Sequence, residues 1–151
     1  MAAALRPAEV ERSLYLNVIE IKERHELERL AVACFDSETR VQWSYDADSY
    51  FHGASTVKLA VLAGVYGEID AGRLKADDPV HVRNRFTSVV DGRPFTLDLA
   101  GEPDPGIARA VGRSLTVRDL AYRMITASSN LATNLLIDVV GITAIQSCLE
   151  D

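Results

Sequence analysis

Ser55-Thr56-Val57-Lys58-Leu59-Ala60-Val61-Leu62-Ala63-Gly64-Val65-Tyr66-Gly67-Glu68-Ile69-Asp70-Ala71-Gly72 is the stretch on which the fold turns. Ser55-Thr56 offers capping residue types at its start, and Gly72 a C-terminal stop, so the spacing predicts a helix from Ser55 to Ala71. Val57, Leu59, Ala60, Val61, Leu62, Ala63, Val65 and Ile69 leave no wide polar face, which places this helix in the middle of a domain. Lys58 is the exception, one turn after Ser55 and on the same helical face. A serine hydroxyl is a weak nucleophile until a neighbour accepts its proton, and desolvation presses an amine in apolar surroundings toward its neutral form. The helix N-terminus adds N–H groups and a positive dipole end suited to a developing oxyanion. Ser55 and Lys58 are therefore the first candidate pair for nucleophilic chemistry. By itself Ser-x-x-Lys arises by chance about once in every one or two chains of this size; its seat in an apolar helix is what raises its weight.

Upstream, Pro7 suits a first helical position and Ala8 to about Arg24 reads as a helix. Leu30-Ala31-Val32-Ala33-Cys34-Phe35, within Arg29–Asp36, is almost continuously apolar and predicts a strand covered on both faces. Ser37-Glu38-Thr39-Arg40 is a turn, and Val41, Trp43 and Tyr45 alternate with polar residues as a half-buried second strand, giving an antiparallel hairpin. Downstream, Arg73–Gly112 is irregular, with Pro79, Pro94, Pro103 and Pro105, and short strands are expected at Val80–Val82 and Phe95–Leu97. Thr116 with Asp119 is a relative of the capping box, opening a helix that stops near Ser128. A helix from about Asn130 carries Leu131, Leu135, Leu136 and Val139 on one stripe and ends before Gly141; Ile142–Asp151 begins another.

Ser128-Ser129-Asn130 thus falls at a break between two helices, where rigid elements hold side chains that project into a cleft. Taken alone these residues are ordinary helix punctuation. In order and context they are more: Ala54-Ser55-Thr56-Val57-Lys58, followed by Met124-Ile125-Thr126-Ala127-Ser128-Ser129-Asn130-Leu131-Ala132-Thr133-Asn134-Leu135-Leu136, resembles the first two motifs of class A β-lactamases and related penicillin-recognising serine hydrolases. Glu68–Leu74 with Asp77-Asp78-Pro79-Val80, and Ser114–Leu120, resemble the flanks of those motifs. The likeness spans about Arg29 to Cys148, with an unmatched stretch near Arg83–Val111.

The resemblance implies an α/β fold of β-lactamase/transpeptidase type, a helical subdomain with an antiparallel sheet, incomplete in this chain, with residues 1–151 as the N-terminal part of one domain. It implies that Ser55 attacks a β-lactam, or a D-alanyl peptide or ester, and forms an acyl-enzyme. Lys58 would relay protons, Ser128 would pass one to the departing nitrogen, and Asn130 would hold Lys58 and the substrate amide. Hydroxyl and carboxamide chemistry suits these roles. No cofactor is implied. Ser129 stands where class A enzymes usually carry Asp, closer to the Ser-x-Asn of penicillin-binding relatives. No Lys-Thr-Gly or Lys-Ser-Gly occurs, and the family's deacylating Glu would also lie further on. The hairpin should then keep an unpaired edge and the long helix an uncovered face, so a fragment, or a second chain supplying the missing half, is expected.

Composition narrows the alternatives. A net charge of −6 argues against nucleic acid, which needs clustered positive charge. No apolar run reaches the roughly 18 residues of a membrane span, and the opening residues lack a signal-peptide pattern. The expected compartment is the cytoplasm as written, or a secreted or periplasmic one if a signal was removed. Cys34 and Cys148 read as two free, buried thiols. His25, His52 and His81 share no metal-ligand spacing; Asp98, Glu102 and Asp104, among Pro and Gly, read as a solvated loop. Three functions remain: β-lactam hydrolysis, a D-Ala-D-Ala peptidase or esterase of the same superfamily, and a binding protein that kept the fold without the chemistry.

Overall fold

The computed structural model describes residues 7–150. The chain divides into two compact units at His52/Gly53. The first unit holds helix α1 (Pro7–Arg24) and an antiparallel hairpin of β1 (Val32–Phe35) and β2 (Gln42–Tyr45), in the register Val32 opposite Tyr45 and Phe35 opposite Gln42. The turn is closed by Asp36, whose carboxylate accepts from the Glu38 N–H and the Thr39 hydroxyl. Those bonds hold its carboxyl below the ordinary range, the Thr39 hydroxyl contributing most. The rings of Tyr15 on α1 and Tyr45 on β2 meet with centroids 5.7 Å apart. The hairpin forms as expected, but β1 is not covered on both faces: Ala33, Cys34 and Phe35 are exposed, since among the described residues β1 pairs with β2 alone. An apolar run of this kind specifies a strand whose cover must come from elsewhere in a fold.

The second unit is mainly helical. A 3₁₀ turn (Ala54–Thr56) leads into α2 (Val57–Asp70). Strands β3 (Pro79–His81) and β6 (Ser114–Thr116) pair antiparallel, as do β4 (Phe86–Thr87) and β5 (Pro94–Phe95). A short α3 (Pro105–Ala108) precedes α4 (Val117–Thr126), α5 (Asn130–Val140) and α6 (Ile142–Glu150). Thr116 and Asp119 make the full capping box of α4, and Gly141, at φ +83°, separates α5 from α6 in a conformation L side chains disfavour. Val61, Val65, Ile107, Leu120, Met124, Leu131, Leu135 and Leu136 form a core at α2, α3, α4 and α5; each large aliphatic buried there contributes about 1.5–3 kcal/mol of transfer free energy. Among the described residues no single helix is long and apolar enough to cross a membrane; α5 and α6 meet that test only as a pair bent by 89°.

Two sequence expectations for α2 need correction. Ser55 and Thr56 do not cap it through their side chains, because the 3₁₀ turn carries the chain into the helix and Thr56 bonds the Gly53 carbonyl instead. Nor is it buried all round. Lys58, Val61, Gly64 and Val65 are buried, whereas Val57, Leu59 and Tyr66 are half exposed or more. The two cysteines are free, but Cys34 is exposed and Cys148 half-buried, not buried as expected.

Gly64 lets α6 come close. A Cβ there would lie 2.8 Å from Ile145 Cγ1 and 3.1 Å from Ile145 Cα, whereas one on Gly67 would meet only Cys148 Sγ at an ordinary 3.5 Å. Gly64→Val is therefore expected to lose about 1–3 kcal/mol through overpacking, and Gly67→Ala to gain about 0.4–1 kcal/mol through reduced unfolded-state entropy. Urea denaturation of the two variants checks both signs; equal effects would deny the close approach.

Candidate active site

The 3₁₀ turn, the first turn of α2 and the α4–α5 junction bring Ser55, Lys58, Ser128 and Asn130 to one point. Lys58 is 6% exposed. Its Nζ donates to the Ser128 carbonyl at 2.6 Å, Ser128 Oγ at 2.7 Å, Asn130 Oδ1 at 3.1 Å and Ser55 Oγ at 3.4 Å. An ammonium has three protons, so four acceptors oversubscribe it, and Ser55 holds the longest of the contacts. The two hydroxyls also lie 3.1 Å apart, closing a triangle of Ser55 Oγ, Ser128 Oγ and Lys58 Nζ. Burial, partly offset by the negative charge of Glu102, holds the Lys58 amine below its ordinary value. A neutral amine has a lone pair for a hydroxyl proton; a protonated one donates to whichever oxygen carries charge.

Each motif sits on backbone of an unusual kind. Ala54 has φ +43° and Ser128 φ +55°, left-handed values that cost non-glycine residues about 1 kcal/mol or more and persist only where packing enforces them. The packing here is plain. Ser129, fully buried, caps α5 by accepting from Ala132 N–H at 3.0 Å, and its carbonyl accepts from the Thr133 hydroxyl at 2.6 Å. A short hydroxyl thereby fills the capping position at the centre of the motif. Ser55 and Asn130 are exposed and Ser128 half-buried; Ser55, Lys58 and Ser128 line a shallow depression with Thr56, Leu59, Met124 and Ile125.

The acidic loop differs from its sequence expectation. Asp98 is exposed and caps a 3₁₀ turn, but Glu102 and Asp104 are buried, not solvated. Glu102 Oε2 accepts from the Leu131 N–H at 3.0 Å, and Asp104 caps α3 while pairing with Arg123 at 2.6 Å. Burial pushes the Asp104 carboxyl up, yet Arg123 and the N–H groups of Gly106 and Ile107 together bring it below the ordinary carboxylate value. Asp104-Pro105 is a cap followed by Pro at the first helical position, a signal that reveals the helix if it outweighs the Gly and Pro around it. Nothing in the local sequence marks Glu102, one of whose two partners is 29 residues away. His25, His52 and His81 are exposed, and the described residues contain no group of three or more metal-ligating side chains.

The chain is similar to known proteins in sequence and in fold. Residues 16–151 match the model of the Beta-lactamase enzyme family. A β-lactamase of Rhodobacter capsulatus is 30% identical over 113 residues, covering 75% of this chain and 34% of that protein. The PSE-4 β-lactamase of Pseudomonas aeruginosa is 24% identical over 75% of this chain and 35% of its own length. Among solved structures, an ancestral class A β-lactamase superposes with a TM-score of 0.65 at 28% identity, over 93% of this chain and 47% of that one. A β-lactamase from Xanthomonas campestris reaches a TM-score of 0.73 at 24% identity, over 93% of this chain and 48% of that one. This chain thus spans about a third of the curated relatives and about half of the solved chains. With a matched region that takes in both motifs and the fold around them, the chain belongs to the β-lactamase enzyme family.

Proposed function

We propose that this chain carries the acylating centre of a serine β-lactam hydrolase. Ser55 Oγ bonds to the β-lactam carbonyl carbon as its proton passes to the neutral Lys58 amine. The ring C–N bond then breaks, and the departing nitrogen takes a proton from Ser128, which Lys58 replenishes. The nucleophile's proton thus ends on the leaving group, and an ester on Ser55 remains for water to cleave. The observation that carries this reading is the buried Lys58 amine within reach of both hydroxyls. Asn130 supports it, since its Oδ1 holds Lys58 while its amide group remains available to a substrate carbonyl.

Ser129 favours a second reading, a D-alanyl peptidase or esterase with a long-lived acyl-enzyme. It caps α5 with a hydroxyl where class A enzymes use a carboxylate, as penicillin-binding relatives with Ser-x-Asn do not require one. A fluorescent penicillin and a chromogenic cephalosporin, each given to the full chain, separate the readings. With any complementing half present, turnover of the cephalosporin is the result expected; a stable adduct on the Ser55 peptide by mass spectrometry then selects the peptidase reading. Neither turnover nor adduct would leave the binding-protein alternative standing.

A further inference from the structure

Behind the triangle of Ser55, Lys58 and Ser128 lies a buried carboxylate that the reaction above does not use. Glu102 is 7% exposed, and its two oxygens are committed in different directions. Oε2 takes the N–H of Leu131, in the first turn of α5, at 3.0 Å; Oε1 takes the N–H of Asp104 at 3.3 Å. Asp104 in turn grips Arg123 near the end of α4 at 2.6 Å, and the Arg123 carbonyl accepts the N–H groups of Ala127 and Ser129. Gly106 keeps that grip possible, because a Cβ there would lie 2.9 Å from Arg123 Nη1. The Glu102-Pro103-Asp104 segment therefore holds both sides of the turn that carries Ser128, one residue from each helix. A helix N-terminus already capped by Ser129 does not need a second, remote carboxylate merely to form.

We infer that Glu102 is a positioning residue for acyl transfer at Ser55: by clamping the start of α5 it fixes Ser128 and Asn130 against Lys58. From that place its negative charge also favours the protonated amine. This rests on the acyl-transfer reading above for its functional half. The polar groups facing Lys58 are Ser55 from the 3₁₀ turn, Ser128 from the junction and Asn130 from α5; the charge acting on it is Glu102 from the acidic loop, beside the mutually neutralising pair of Asp104 and Arg123. The two parts of the role separate by substitution. Glu102→Gln keeps an oxygen for Leu131 and loses the charge; Glu102→Ala loses both.

The test uses the full chain, with Lys58 followed by NMR of its side-chain amine and Ser55 labelling by fluorescent penicillin followed against pH. In Glu102→Gln the Lys58 titration and the rising limb of the labelling profile should both move to lower pH. In Glu102→Ala the plateau rate should fall about 10- to 100-fold, as expected of a displaced reacting group. An unmoved Lys58 titration in Glu102→Gln, or a parental plateau in Glu102→Ala, overturns the assignment. If the parent chain takes no label at all, the acyl-transfer reading fails, and the Lys58 titration still decides whether Glu102 acts on the amine. Should neither variant fold, the parent suffices: the Glu102 carboxyl carbon must show a step in its chemical shift where Lys58 loses its proton, and a flat response there also overturns the assignment.

Discussion

Ser55→Ala is expected to lose covalent labelling by a penicillin, with acylation falling roughly a thousandfold or more, as for removal of one member of a nucleophile–base unit. The fold should not notice. Ser55 is exposed, it caps no helix, and its contact with Lys58 at 3.4 Å is the longest of the four the amine makes. With Ser55 truncated, Lys58 still has Ser128 O, Ser128 Oγ and Asn130 Oδ1, enough acceptors for its three protons. Stability should therefore change by no more than about 0.5 kcal/mol, the usual range for surface sites. Adduct mass on the 55-containing peptide and a denaturation midpoint, measured side by side, check both halves. Labelling that persists in the variant would remove Ser55 from the reaction.

Lys58→Met is the second large effect, and it reaches into both activity and stability. Acylation should fall about 100- to 10,000-fold, the span usual for losing a general base. In the parent the rate should rise with pH as the amine loses its proton, at a pH below the ordinary lysine value because burial outweighs the pull of Glu102. The same shift has a sign in stability. The folded amine gives up its proton at lower pH than the unfolded one, whose value is 10.5, so between the two the unfolded chain binds more protons. Parent stability should then rise with pH across that window, and Lys58→Met should lack the rise. Denaturant midpoints taken from neutral pH to pH 10 measure it. A parent and variant that run parallel would mean that the amine titrates as if in water, and the proton-relay role would go with it.

Much of the helical half was legible because it depends on local signals. The capping box of Thr116 and Asp119, the stop at Gly72 and the break at Gly141 each act within one turn of chain, and the structure places helix ends within a few residues of them. The motif residues were legible by type and order, since Ser55 and Lys58 share a helical face by spacing alone. What escaped was set by distant partners. β4 and β6 are two and three residues long, too short to show a period, and exist because β5 and β3 lie beside them. Exposure of Leu59 and Tyr66 on α2 could not be read either, because an apolar helix looks the same whether one face or all of it is packed. Glu102 and Asp104 read as solvated residues in sequence for a similar reason: Pro and Gly report an irregular backbone, and an irregular backbone can still be buried when Leu131 and Arg123 wait for its carboxylates.

The left-handed backbone at Ala54 and at Ser128 has a consequence for where this chemistry resides. Neither residue would hold such torsions in a short excised peptide, where relaxing them is free, so the hydroxyls would swing away from the amine at once. The reactive arrangement is thus a property of the assembled molecule and of no segment within it. Any local opening of α5 would part the two hydroxyls from the Lys58 amine before the rest of the protein came apart.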